Sequence, residues 1–214
     1  MRLTKILSIG GMVVASGVAA ATNLLFTTDS GAVINQTQLE DYGDRVTSVS
    51  QGGLAYGSEG GFTPNVVLDY TTNVGLWGTG YGDLPTAIWG RNSSSGSTSD
   101  ATPVSFTLTA DPGFLVRLRS IRLADWNGSP LVTTFRVLDG SNAELFNWQG
   151  IPDGTTNTLI TFPSVVGESL TVTWNNGWNT AGRELVFSQE AVPEPATLTI
   201  LSVAALAALR KRSK

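Results

Sequence analysis

Residues 104–110, Val-Ser-Phe-Thr-Leu-Thr-Ala, alternate apolar side chains with hydroxyls. A period of two over seven positions predicts a strand with one buried face. Asp111-Pro112-Gly113 supplies a turn. The next segment then resumes the alternation, with Phe114, Val116 and Leu118 inward and Arg117 and Arg119 outward. Arg122 rejoins that basic face only if the register slips by one at Ser120, as a β-bulge causes. The same pattern predicts strands over 66–70, 131–138, 144–148, 157–162, 169–174 and 184–188, and no stretch between the two ends keeps a helical period. Asp-Gly at 139–140, Pro-Asp-Gly at 152–154 and Asn-Gly at 127–128 and 176–177 punctuate these runs. The expected fold is all-β, a single antiparallel β-sandwich of jelly-roll type over residues 22–190. Residues 90–103, with their Ser-rich centre, read as a flexible loop.

Both ends break the alternation. Residues 1–21 run from a cationic start (Arg2, Lys5) through an apolar stretch at 6–18 to small residues, with Ala19 and Ala21 placed as in the A-x-A cleavage pattern. This predicts a signal peptide helix; a buried N-terminal helix is the alternative. Residues 191–214 comprise Val192-Pro193-Glu194-Pro195, an uncharged stretch at 196–209 and a cationic tail containing Arg210, Lys211 and Arg212. Prolines 193 and 195 defer any helix to Pro195 or later. The apolar stretch would be about 21 Å long as a helix against about 30 Å of hydrocarbon, a short transmembrane span. Its basic tail would act as a stop on the cytoplasmic side, with the preceding domain outside.

Those residues carry a resemblance. Val192, Pro193, Glu194, Pro195, Ala196, Thr197 and Leu198, followed by an apolar helix and an Arg/Lys cluster, resemble the PEP-CTERM sorting signal. Export through the Sec translocon with signal peptidase follows from residues 1–21 and a transient inner-membrane anchor from residues 196–214, and the resemblance agrees with both. It further implies processing by an exosortase-type transpeptidase, then residence at the cell surface or in an extracellular matrix, with exopolysaccharide as a partner. More loosely, the strand order over 104–189 resembles galactose-binding-like jelly-rolls. Arg183-Glu184 stands where relatives often have Asp-Asn.

Charge sharpens the division. The 214 residues carry a formal charge of −4, but all three lysines lie in the end segments. Residues 22–192 hold seven arginines and sixteen carboxylates, a charge of −9. Nucleic acid and anionic lipid are bound chiefly through cationic side chains, so neither is an expected partner. With no His and no Cys, nucleophile triads, thiolate or imidazole metal sites and disulfides are excluded.

The remaining candidates are of three kinds. Six tryptophans are concentrated between the ends. Trp126 and Trp178 fall in polar loops, where flat rings beside amides and carboxylates suit a sugar. The alternative places Trp77, Trp89, Trp148 and Trp174 in the sandwich core, with Trp126 and Trp178 capping its ends. Asp41, Asp44 and Asp83 lie beside glycines, and their hard oxygens suit calcium; ordinary acidic turns are the alternative, since the EF-hand spacing is absent. Sixteen carboxylates make some glycosidase-like pair inevitable by chance, so such pairs point to no reaction. Arg117, Arg119 and Arg122 are expected to pair with carboxylates on the neighbouring strand. The reading is an exported, non-catalytic surface or matrix protein without an assured cofactor. A carbohydrate-binding module is the alternative, and a polysaccharide-active hydrolase comes after it.

Overall fold

Alternation along the strands sorts the chain into two facing sheets. The computed structural model describes residues 21–26, 34–37, 40–47, 61–91, 102–127 and 130–192, with no helix among them. Its strands are β1 (Thr22–Leu24), β2 (Ile34–Thr37), β3 (Val66–Tyr70), β4 (Val74–Trp77), β5 (Ala87–Gly90), β6 (Val104–Ala110) and β7 (Phe114–Asp125). They continue with β8 (Thr133–Asp139), β9 (Glu144–Gly150), β10 (Thr158–Thr161), β11 (Val166–Gly167), β12 (Ser169–Trp174) and β13 (Thr180–Ala191). One sheet runs β10-β7-β13-β5-β4-β2, with β1 added on β13 and β11 on β7; the other runs β3-β6-β12-β8-β9. The protein is an all-β antiparallel sandwich. The two expected helices lie outside the described residues, as do Ala19, Pro193, Glu194, Pro195, Arg210, Lys211, Arg212 and most of the 90–103 loop.

Strands with one wet face fall where alternation predicts them: 66–70, 104–110 and 169–174 agree to the residue. The segment expected over 184–188 is far longer, because β13 starts at Thr180 with four consecutive buried residues. β4 and β5 escape prediction for the same reason, being buried at almost every position. A strand covered on both faces shows no alternation to read.

The inter-sheet core takes Val104, Phe106 and Leu108 from β6, Leu170, Val172 and Trp174 from β12, and Phe135 and Val137 from β8. β7 contributes Val116 and Leu118, then Ile121 and Leu123, so its inward positions slip by one. The pairing with β13 skips Arg119, between Leu118↔Phe187 and Ser120↔Val186, which is the bulge expected from the arginine spacing. Outside, Arg117 pairs with Glu190, and Arg122 pairs with Glu184 while also donating to Asn157 Oδ1. Arg119 reaches the Ser188 hydroxyl at 3.3 Å. The arginine stripe is therefore largely occupied by cross-strand partners.

Trp174 is the centre of the core. Its ring is fully buried, stacks on Phe135 at 5.8 Å and 14°, and meets Phe106 edge-on at 6.3 Å. Gly182 makes that position possible, since a Cβ there would come within 2.9 Å of the indole. The indole N–H donates to the carbonyl of Thr180 at 2.9 Å, joining β12 to the start of β13.

Candidate functional site

Period two also decides what lies on the far side of the large sheet. Val74, Leu76 and Ile88 enter the inter-sheet core, so their neighbours Trp77, Ala87 and Trp89 face the other way. Ala124 of β7 and Ala181 of β13 join them in a second apolar cluster with Tyr81 and Leu84. Small side chains on β7 and β13 leave space above the sheet, and the 78–86 connection folds back to fill it.

Tyr81 secures that connection. It is 2% exposed, bridges Leu84 and Trp126 through the backbone, and donates its hydroxyl to the Trp178 carbonyl. Burial pushes the phenol far above its ordinary value, so it stays a neutral donor. The backbone N–H of Trp126 donates to Asn179 O at 2.7 Å, and that of Asn127 to Gly80 O at 3.0 Å. Gly80 has φ +118°, and a Cβ on it would lie 2.6 Å from the Trp126 ring. Both facts call for glycine there.

The result is an edge-to-face chain of five rings. Trp178 meets Trp89 at 4.7 Å, Trp89 meets Trp77 at 5.2 Å, Trp77 meets Trp126 at 5.8 Å and Trp126 meets Tyr81 at 5.1 Å, all at interplanar angles of 61–76°. Trp77, Trp126 and Trp178 are half-buried, whereas Trp89 is 2% exposed and its indole N–H has no hydrogen-bond partner among the described residues. The structure thus brings Trp126 and Trp178 onto one surface. It also corrects the placement of Trp77 and Trp89, which belong to this cluster and not to the inter-sheet core. Trp174 lies in that core and Trp148 packs at its margin. The missed signal was the set of small residues, Ala87, Ala124 and Ala181, at outward positions of wide strands.

Asp125, immediately before Trp126, anchors the cluster from below. It is fully buried; one carboxylate oxygen accepts the Thr180 hydroxyl at 2.7 Å and the other the Leu131 N–H at 3.1 Å. Thr180 is also 2.7 Å from the Thr133 hydroxyl. Burial holds the Asp125 carboxyl above the usual carboxylate range, against the opposing pull of both hydrogen bonds.

The acidic turns serve local structure. Asp44 accepts the Leu68 N–H at 2.7 Å, Asp83 accepts the Asn157 side-chain amide at 2.7 Å, and Asp41 is exposed, its carbonyl accepting the Asp44 N–H. Asp41, Asp44 and Asp83 are not brought together as a ligand set. Among the described residues no three acidic side chains converge as a metal site.

Residues 191–213 match the family model of the PEP-CTERM protein-sorting motif. The chain carries a PEP-CTERM sorting signal. The PEP-CTERM match begins on Ala191, the last residue of β13, and the next residue, Val192, still donates its N–H to Gly113 O at 2.9 Å. Such a signal marks an exported protein held transiently at the membrane for exosortase-type processing. No curated protein was found to match the sequence. Among solved structures, the chain is similar to the family 32 carbohydrate-binding module of NanJ from C. perfringens in complex with galactose (15% identity, 79% of this chain and 99% of that one, TM-score 0.31). It is also similar to the CBM22-1 xylan-binding domain of Xyn10C from Paenibacillus barcinonensis (14%, 76% and 99%, TM-score 0.31). A third similarity is to arabinose-bound MgGH51 α-L-arabinofuranosidase (15%, 82% of this chain, TM-score 0.36), of which the chain spans 27%.

Proposed function

We propose that this chain is an exported, non-catalytic β-sandwich protein, delivered by Sec with removal of residues 1–21 and sorted through its PEP-CTERM signal to the cell surface or extracellular matrix. There it associates with exopolysaccharide. The observation that carries the reading is the motif match over 191–213, which starts where β13 ends. A domain ending directly on its sorting signal is one that a membrane enzyme can release intact. Replacing Pro193, Glu194 and Pro195 together by alanine is expected to leave a larger, membrane-retained form, read by mass spectrometry and fractionation. An unchanged mass and location would sink the processing reading.

A carbohydrate-binding role for the mature domain is the second reading, favoured by the three half-buried tryptophans sharing one outer face. Ring faces of that kind stack on the C–H faces of sugars. On a glycan array, Trp178→Ala and Trp126→Ala are expected to lower the signal at least tenfold. Trp126→Phe, which keeps an aromatic ring against Gly80, should retain more binding than alanine. Binding that is indifferent to all three changes would remove the cluster from consideration.

A further inference from the structure

The outer face of the small sheet is largely polar, with Val67 and Leu138 as apolar positions on it. Across β6, β12, β8 and β9, register aligns Ser105, Thr173, Arg136 and Asn147, with Thr107 and Thr171 in the adjoining row, their hydroxyls 3.0 Å apart. A concavity of about 280 Å³ opens on this face, lined by Pro103, Thr134, Arg136, Thr173, Trp174 and Asn175. It lies on the sheet opposite the one that bears the aromatic cluster, so the two sites share no lining residue.

Its hydrogen bonds leave donors over. Asn175 Oδ1 already accepts the Thr134 N–H at 2.7 Å, and the Thr173 hydroxyl donates to Val104 O at 2.9 Å. The indole N–H of Trp174 is spent inside the core. The Thr134 hydroxyl accepts the Gln149 amide at 3.4 Å, so its own proton, the Asn175 amide N–H groups and the guanidinium of Arg136 remain. Arg136 makes one loose ion pair, Nε to Glu144 Oε2 at 3.4 Å, and Glu144 is shared with the amide of Asn147 at 3.1 and 3.2 Å. Arg45 and Arg117, in contrast, each grip a carboxylate through two nitrogens. Among the described residues, both Nη atoms of Arg136 are without a hydrogen bond.

A planar fork of free N–H groups beside an amide donor matches the two oxygens of a carboxylate. We propose that this concavity binds the carboxylate of a uronate residue in an acidic polysaccharide, with Arg136 taking the two oxygens and Asn175 donating beside it. The proposal rests on the polysaccharide-associated reading above and names its ligand class. The hydroxyl rows flanking the concavity suit sugar hydroxyls, and the sole apolar side chain exposed in its wall is Pro103, which gives a peptide side chain little to fill. Its volume falls just under the ~300 Å³ at which pockets for drug-sized ligands begin, a scale for one sugar residue of a longer chain. The domain's distant acidic charge is screened beyond about 8 Å at physiological salt. Glu144, 3.4 Å from Arg136 Nε, is the one like charge the uronate would sit beside, and it leaves both Nη atoms to the ligand.

The test titrates the full chain, purified in mild detergent, with tetragalacturonate and with an uncharged galactose tetrasaccharide. The acidic sugar is expected to bind at least tenfold more tightly. Arg136→Gln should remove that preference with an unchanged melting temperature, and Arg136→Lys should restore only part of it, since an ammonium lacks the fork. Equal binding of the two sugars, an indifferent Arg136→Gln variant, or competition by poly-glutamate as strong as by uronate would each overturn the assignment. Arg136→Gln should still mature to the wild-type mass in cells. Failure of wild-type maturation with binding intact would instead strike the sorting reading alone.

Discussion

Replacing Trp174 by alanine should destabilise the domain by about 3–5 kcal/mol, the range for deleting a large aromatic side chain from a packed core. For a domain of this size the midpoint of thermal unfolding would fall by roughly 6–20 °C. The reason is the number of elements that converge on one ring. Phe135 stacks on it from β8, Phe106 meets its edge from β6, and Gly182 of β13 has no Cβ because the indole occupies that space. The truncated side chain would also leave the Thr180 carbonyl without its indole donor. Trp174→Phe separates the two effects: it keeps the stack and loses the hydrogen bond, so a smaller loss of about 1–2 kcal/mol is expected. A loss below about 1 kcal/mol for alanine, measured by urea unfolding, would mean that the ring does not join the two sheets.

How far the fold is legible in the chain depends on how many faces of each strand are wet. β6 and β12 present hydroxyls to solvent and apolar groups to the core, so their limits follow from the alternation alone. The slip in β7 was equally visible, because Arg117, Arg119 and Arg122 cannot share a face without it. β4, β5 and the start of β13 were hidden because the aromatic cluster dries their second face. For the same reason Trp77 and Trp89 read as core. Trp89 is buried as a core residue is and Trp77 half so, against a loop instead of a sheet, and pattern alone does not distinguish the two coverings. The turns were legible in place but less so in form. Asp139-Gly140 does close the β8–β9 hairpin, yet its work is done by the Asp139 carboxylate, which accepts the N–H groups of Ser141 and Ala143, while Asn142 takes the left-handed conformation at φ 64°. The sorting signal was legible because it is read as linear sequence. The Arg136 concavity was not, since its lining residues converge only through the register of β6, β8 and β12.

Asp125 ties the aromatic cluster to the core, and its replacement should have the other large effect. Alanine would leave the part-buried Leu131 N–H without its acceptor, leave the Thr180 hydroxyl only Thr133 to bond and open a void at a buried position, a cost of about 1–3 kcal/mol. Asparagine should be far milder. Its oxygen can take the Leu131 N–H while its amide donates to the Thr180 hydroxyl, which then turns its own proton to the Thr133 hydroxyl 2.7 Å away. The two variants also differ from wild type in pH dependence. Burial raises the Asp125 carboxyl above its unfolded value of about 3.9, so the folded state takes up this proton first as pH falls. The group therefore opposes folding when ionised, above its folded pKa, and that opposition fades as pH drops through that value. Asp111, Asp139, Asp153 and Glu190 act with the opposite sign: their carboxyls are held low by hydrogen bonds, and the stability they supply is lost in acid. Those four are common to wild type and Asp125→Asn, so they cancel in the difference between the two proteins. That difference in melting temperature should move in favour of Asp125→Asn as pH rises from about 4. Above the pKa of the buried carboxyl it should level off. A difference independent of pH would mean that Asp125 is not charged in a dry site, and the chain from Trp174 through Thr180 to the aromatic cluster would lose its middle link.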